Sequence, residues 1–346
     1  MLENNNNIRN ILITGAAGFI GSNFIEYLLV EEGIRDINLI VLDNLSYCGN
    51  LSNLSFANEF KNYKFIKGDI CDRQMVENIF AEHSIDAIIN FAAESHVDRS
   101  IMDSNPFLMN NVFGTVNLLD VAKKHKIQKF LQVSTDEVYG SLGSEGSFRE
   151  DNNIQPNSPY SASKASADHF VMAYFVTHNL PVLITRCSNN YGPKQFPEKL
   201  IPLMILNAIE DRDLPVYGDG MNVRDWIHVQ DHCSGIWAVF NRGRFGESYN
   251  IGGECEKTNI EIVRTILTKL GKGENLIKYV QDRPGHDRRY AMDITKIKNE
   301  LGWEPKVNFQ NGISSTINWY LANLEWCNSI RSGEYLEYYN KQYGEK

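Results

Sequence analysis

Ile11-Leu-Ile-Thr-Gly-Ala-Ala-Gly-Phe-Ile-Gly21 is a short apolar strand running into three glycines spaced three apart, and its reading decides the fold. Gly15 can take a tight turn, Gly18 lets the backbone approach a pyrophosphate, and Gly21 lets the next helix pack close to the strand. A helix predicted over Phe19–Leu29, with Phe19 and Ile20 in its first turn, then aims its N-terminal amides at the anion. A glycine triplet alone is as readily an ordinary turn. Here the strand before it, the amphipathic helix after it and a second strand, Leu39-Ile-Val-Leu42 ending in Asp43, complete a dinucleotide-binding unit. Asp43 stands where a carboxylate binds the adenosine ribose diol, and its charge disfavours a ribose 2′-phosphate, so NAD is expected over NADP.

With 346 residues and 42% apolar content, the chain can bury a sizeable core and is expected to split into two lobes. The net charge of −9 argues against a nucleic-acid partner, while a small anionic ligand needs only a local basic site. Met1–Asn10 is polar and Asn-rich, with no apolar run behind a basic segment, and no stretch is long enough to span a bilayer. A cytoplasmic location without membrane contact is therefore expected. Six cysteines lie scattered with no Cys-x-x-Cys pair, so neither a disulfide framework nor a metal site is expected.

After Asp43, the turn-forming loop Asn44–Asn50 brings Asn44 and Ser46 to the cofactor. A third strand, Tyr63–Ile66, closes in Gly68-Asp69-Ile70. Asp69, with Ile70 beside it, is placed to meet the adenine amino group or to cap a helix over Arg73–Ala81, and both roles can hold at once. The fourth strand, Ala87–Phe91, is nearly all apolar, as a parallel strand covered on both faces should be. It ends in Ala92-Ala-Glu-Ser-His96, where Ala92, Ala93 and Ser95 let the cofactor pass close above the sheet edge. His96 is either a phosphate or sugar contact or a solvated loop histidine. A helix over Asn110–Lys124 follows, with Asn110 at the cofactor.

The fifth strand, Phe130–Val133, delivers Ser134-Thr-Asp-Glu-Val-Tyr-Gly140 to the same edge. Beyond it stand Tyr160 and Lys164, four apart on one helical face, a spacing that lets the ammonium lower the phenol's pKa. Taking a tyrosine from about 10 to near 7 needs roughly 4 kcal/mol, which Lys164 and a positive nicotinamide ring together could supply. With the glycine turn upstream and the strand-end Ser/Thr pair between, the pattern points to hydride transfer at a secondary alcohol with Tyr160 as base.

Thr14-Gly-Ala-Ala-Gly-Phe-Ile-Gly21 with Tyr160 and Lys164 resembles the extended short-chain dehydrogenase/reductase superfamily, which acts on nucleotide sugars. Ser134–Gly140, Ala92–Ser100, Arg186-Cys-Ser-Asn-Asn-Tyr-Gly-Pro193, Phe196–Pro202, Arg224-Asp-Trp226 and Asp282-Arg-Pro-Gly-His286 narrow the resemblance to the dTDP-glucose 4,6-dehydratase family. It extends from Ile11 to about Trp303. Epimerases of the superfamily usually carry small or hydroxyl residues where this chain has Asp136 and Glu137, so the acidic pair discriminates. Asn110 departs from the family, which often has Thr there, and Gly140–Pro159 is shorter than in many members.

The resemblance implies that Tyr160 takes the sugar 4-hydroxyl proton while C4 gives hydride to NAD, Glu137 removes the C5 proton, and Asp136 protonates the departing C6 hydroxyl. The hydride then returns to C6 and a proton to C5, giving dTDP-4-dehydro-6-deoxy-D-glucose. Thr135 should hydrogen-bond the 4-oxygen, and Lys164 should also hold the nicotinamide ribose. The rivals are another nucleotide-sugar epimerase, decarboxylase or dehydratase of the superfamily, and a catalytically silent NAD-binding regulator. The intact set of five argues against silence.

The expected fold is α/β: a Rossmann-type doubly wound parallel sheet with a smaller, interleaved α/β substrate-binding lobe. Residues 1–187 form the NAD domain, completed by about 225–251, and residues 188–346 form the nucleotide-sugar lobe. The strand Val182–Thr185 leads through Arg186–Asn190 into that lobe, with Asn190 at the cofactor and Asn189 at the substrate. His96, Thr135, Lys199, Leu200, Pro215, Tyr217, Arg224, Asn250, Arg283 and His286 complete the substrate site. Arg224 and Arg288 or Arg289 suit a diphosphate, because the guanidinium fork binds oxyanions bidentately. A last helix is predicted over Phe309–Leu324, before a Tyr-rich tail. A homodimer is expected, since Ala162, Ala165, Phe170, Ala173 and Tyr174 leave apolar groups on more helix faces than one lobe can cover; in the superfamily such helices pair into a four-helix bundle.

Overall fold

The structure is a computed structural model and describes residues 8–331, so most of the Asn-rich start and the Tyr-rich tail lie outside the described residues. Strands β1 (Asn10–Thr14), β2 (Asn38–Asp43), β3 (Tyr63–Lys67), β4 (Ala87–Asn90), β5 (Lys129–Thr135), β6 (Val182–Cys187) and β10 (Glu247–Ile251) form one sheet. Its order is β10-β6-β5-β4-β1-β2-β3 and every pair is parallel. Parallel pairing needs helical crossovers on both faces, and the near-continuous apolar strands satisfy both. Ile11, Ile13, Leu39, Val41 and Ile89 face the layer made by the helices Phe19–Glu26 and Val229–Arg242. Their neighbours Leu12, Ile40, Leu42 and Ile88 face the opposite layer, where Arg73–His83, Thr115–His125 and Pro159–His178 pack. One strand thus serves two cores through its period of two.

The helices depart from expectation in two places. The first closes its α-helical part at Glu26 and runs on as a π turn over Tyr27–Glu31. The helix predicted from Asn110 starts earlier, with π turns over Leu108–Gly114 before regular Thr115–His125. Such wide turns depend on packing and leave no signature in residue periodicity.

Beyond β6 the chain builds a second core. Strands β7 (Asn189–Tyr191), β9 (Val223–His228) and β11 (Glu256–Thr258) make a three-stranded sheet, and β8 (Leu214–Tyr217) pairs with β12 (Ile277–Val280). The helices Leu200–Ile209, Asn259–Leu270 and Phe309–Ala322 enclose this core. The return to the large sheet was expected from Asp225; it begins at Val229, because β9 pairs with β7 and β11 instead. The helix Val229–Arg242 and β10 then complete the first layer, β10 lying beside β6.

Candidate active site

Strand order reverses at β1, whose neighbours β4 and β2 lead to opposite sides, and such a switch point opens a crevice at the strands' C-terminal ends. There Gly15 turns with φ +67°, its amide donating to the Leu42 carbonyl at 2.9 Å; a Cβ would lie 2.5 Å from the Ala92 nitrogen. A Cβ on Gly21 would meet Ala16 Cα at 2.6 Å, so close helix–strand packing demands glycine there as well. At Gly18 a Cβ would meet nothing closer than 3.4 Å, so protein packing does not require this glycine. Gly18 precedes the Phe19–Glu26 helix without a side-chain cap, leaving the helix amides directed at the cavity.

Asp43 is buried, its Oδ2 accepting from the Ala17 amide at 2.9 Å and its Oδ1 from the Leu45 amide at 2.8 Å. Burial raises its pKa against these two amide bonds. A fixed carboxylate on the cavity wall fits a ribose diol better than a 2′-phosphate. Every cofactor residue expected from sequence lines this one cavity: Gly15, Gly18, Phe19, Ile20, Gly21, Asp43, Asn44, Ser46, Asp69, Ile70, Ala92, Ala93, Ser95, Asn110, Tyr160, Lys164 and Asn190. The uncapped glycine turn and the held carboxylate therefore fit NAD. Asp69 does not cap the Arg73–His83 helix; Asp72 does, accepting from the Met75 amide, while Asp69 takes the Cys71 amide and the Asn44 carboxamide.

Thr135, Asp136, Glu137, Tyr160 and Lys164 line the same cavity. Thr135 ends β5 and caps the 3-10 turn Asp136–Tyr139: its hydroxyl accepts from the Glu137 amide at 3.3 Å and donates to Asp136 Oδ1 at 3.1 Å. Asp136 Oδ2 is buried without a hydrogen-bond partner, and burial with the nearby Glu137 charge pushes the Asp136 carboxyl well above its usual range. Burial raises Glu137 too, but Arg283, Lys199 and Arg224 oppose it. Both carboxyls are raised by burial, Asp136 the further of the two, while the three cations act on Glu137 against its burial.

Ser158 caps the Pro159–His178 helix by accepting from the Ser161 amide, and Ser161 returns the bond, which fixes the first turn carrying Tyr160. Lys164 does not depress Tyr160 here as its spacing suggested. Its Nζ donates to the Val133 carbonyl at 2.8 Å. Burial and the Glu137 charge push the phenol well above its normal value, against the Thr135 hydrogen bond, while burial lowers the ammonium. The physical reason is desolvation: burial penalises the phenolate, and the same burial disfavours the charged form of the ammonium.

Of the expected substrate residues, His96, Thr135, Asn189 and Lys199 reach the cavity wall. His96 is no solvated loop residue: it is buried, its Nδ1 accepts from the Arg99 amide at 3.4 Å, and burial takes its pKa down to about 3. Lys199 donates to the Ser95 carbonyl at 2.7 Å. Arg224, Arg283, Tyr217 and His286 do not line this cavity, although the Arg283 and Arg224 charges act on Glu137, which does. Arg224 bonds the Val223 and Asp287 carbonyls and stacks 4.5 Å from the Tyr290 ring centre. Tyr217 meets His286 edge to face at 6.1 Å. Leu200 packs against the second core and Pro215 is buried within β8, and neither lines the cavity. Asn250 is fully buried and committed elsewhere: its Oδ1 accepts from Tyr139 Oη at 2.8 Å and its Nδ2 donates to the Phe148 carbonyl. Arg288 and Arg289 are both engaged bidentately, by Asp219 and Glu256.

Sequence reasoning passed over Tyr47, Cys187 and Glu198, which also line the cavity. Cys187 was readable as the β6 residue in register with Thr135. Glu198 was not: its burial, with a pKa raised to about 7, follows from the packing of Tyr47 and His96 around it.

The GDP-mannose 4,6 dehydratase family profile matches residues 12–316. A dTDP-glucose 4,6-dehydratase of Xanthomonas campestris is 51% identical, over 94% of this chain and 96% of its own length. The Bacillus anthracis dTDP-glucose 4,6-dehydratase, solved in complex with NAD, superposes with a TM-score of 0.87 at 53% identity, covering 93% of this chain and 99% of that one. A UDP-glucose 4-epimerase from Thermotoga maritima reaches a TM-score of 0.84 at 30% identity, covering 91% and 99%.

Proposed function

The chain belongs to the dTDP-glucose 4,6-dehydratase family, NAD-dependent hydro-lyases that convert dTDP-glucose to dTDP-4-dehydro-6-deoxy-D-glucose, and from that premise we propose how its residues divide the work. Bound over the Gly15–Gly21 turn with Asp43 at its ribose, NAD would supply the hydride acceptor for C4 and the hydride donor for C6, a proton returning to C5. Tyr160 takes the 4-hydroxyl proton, with Thr135 holding the 4-oxygen and Lys164 placed to hold the nicotinamide ribose. Once C4 is a ketone, the C5 hydrogen is acidic enough for Glu137 to remove. Asp136, kept protonated by burial, gives its proton to the leaving C6 hydroxyl. The carrying observation is that these five side chains share one cavity wall with the glycine turn.

Damage to the two pairs should therefore look different. Glu137→Gln keeps shape but removes basicity, so dTDP-glucose should still reduce bound NAD, and the NADH absorbance should persist. Tyr160→Phe should form little NADH at all. Single-turnover absorbance decides; a Glu137→Gln protein that loses NADH formation as completely as Tyr160→Phe contradicts the assignment.

The same reading divides the chain into an NAD lobe over 1–187, completed by the Val229–Arg242 helix and β10, and a sugar-nucleotide lobe in the remainder of 188–346. It takes Arg224, Arg283 and Lys199 as the cations facing the nucleotide sugar. A homodimer is supported by the exposed apolar side chains Ile101, Met102, Leu108, Met109, Phe113 and Phe170 on neighbouring helices. A cytoplasmic location is supported by six free cysteines, and no helix among the described residues is long and apolar enough to cross a membrane.

A further inference from the structure

Asp98 opens the Val97–Met102 helix on the large lobe, is buried, and has no part in the steps above. Both of its oxygens are held from the other side of the cleft. Oδ2 accepts from the Tyr217 hydroxyl of β8 at 3.0 Å, and Oδ1 accepts from Arg283 Nη1 at 3.1 Å. Arg283 belongs to the segment between β12 and Tyr290, which is tied down again where Asn157 Nδ2 meets Asp287 Oδ1 at 2.6 Å. The Arg283 charge also acts on Glu137, and it heads the charges that counter the burial of that carboxyl. One guanidinium is thus anchored by one carboxylate while its charge favours the ionised form of another.

We propose that Asp98 is a positioning residue that locks Arg283 beside Glu137 across the two lobes, and so governs how readily Glu137 becomes the base for C5. The inference rests on the reading of Glu137 as that base. An arginine side chain has many rotamers, and that of Arg283 is 22% exposed, enough to swing outward if its anchor is removed. Burial would raise Asp98, but Arg283 and His96, with hydrogen bonds from Arg283 and Tyr217, outweigh it, so the anchor stays ionised. Burial would weaken the Arg283 charge, and the Asp98 and Glu137 charges more than restore it.

The sign separates two mechanisms. If Asp98 acted only through its own charge, removing that charge would help Glu137 ionise and move the acid limb of C5 proton removal to lower pH. If it acts by positioning, Arg283 drifts away, Glu137 holds its proton longer, and the limb moves to higher pH. Glu137 also faces the cations Lys199 and Arg224, the acids Asp136 and Asp287, and the phenols of Tyr160 and Tyr290, so losing one cation shifts it only in part. A shift of roughly half to one pH unit corresponds to about three- to tenfold slower elimination on the acid side.

The test follows single turnover of dTDP-glucose from pH 5 to pH 9, reading formation of the NADH band for C4 oxidation and its decay for elimination. Asp98→Asn should leave formation within about twofold and move the acid limb of decay upward, with the rate recovering at high pH. Arg283→Gln should move the same limb at least as far, and the double variant should go no further than Arg283→Gln. If Asp98→Asn folds poorly, Asp98→Glu, which keeps the charge but displaces the carboxylate, should give a smaller upward shift. A downward shift, an unmoved limb, or additive shifts in the double variant would overturn the proposal. Glu137→Gln distinguishes the two failures: if it leaves the limb in place, Glu137 is not the base; if it removes the limb while Asp98 variants do not move it, only the positioning role fails.

Discussion

Asp43 does two jobs with one carboxylate, since the amide bonds from Ala17 and Leu45 that hold it still also fix the glycine turn against the loop after β2. Asp43→Ala should lose both the diol acceptor and this brace. NAD affinity should fall about ten- to a hundredfold, in keeping with the loss of charged hydrogen bonds worth roughly 1.5–3 kcal/mol. NADP affinity should fall less, because the repulsion of a 2′-phosphate goes with the carboxylate. Calorimetry with both nucleotides checks this, and equal losses for the two would refute it. Residues such as Gly15, Asp43, Thr135 and Tyr160 were legible because their chemistry is fixed by local spacing on a strand end or helix turn. Asn250, Pro215 and Leu200 lie off the cavity wall, where packing between distant segments sets their surroundings. Asp98 was missed for the same reason, as Arg283 is far away in sequence and meets it only through the fold.

The strand–turn–helix units carry most of what the sequence shows, since period-two apolar strands and capped helices are written in adjacent residues. The cap on Pro159–His178 matters most, because Tyr160 and Lys164 lie in the first turns behind it. Ser158→Ala removes the hydroxyl that accepts from the Ser161 amide but keeps the backbone amide that donates to Ser161 Oγ, at a cost of about 1 kcal/mol. The expected result is a lower urea midpoint with unchanged slope, together with slower C4 oxidation as the Tyr160 turn frays. A destabilised protein with wild-type oxidation would show that Tyr160 is held by other contacts, such as its amide bond to Ser100 Oγ at 3.1 Å. The π turns at Tyr27–Glu31 and Leu108–Gly114 had no such local record, because an α turn and a π turn present similar apolar stripes.

At the scale of the whole molecule, the uneven placement of apolar surface argues for a second copy. Phe113 is 50% exposed, Leu108 57% and Phe170 43%, and the two helical segments that carry them pack against each other on one side of the large sheet. Ala162, Phe170 and Ala173 of the Pro159–His178 helix are exposed at helical spacing, while Ala165 is buried and Tyr174 half-buried against its own lobe. A monomer gains nothing from leaving such a face in water, whereas a two-fold pairing of the same helices covers it on both copies at once. Phe113→Glu would set two like charges near such an axis and remove a large apolar contact from each side. Light scattering at micromolar concentration should give twice the chain mass for the native protein and a single chain mass for the variant. The catalytic residues of the described chain all lie in one cavity, so the separated variant should keep measurable single-turnover oxidation at C4. A native protein that scatters as a monomer would sink the pairing.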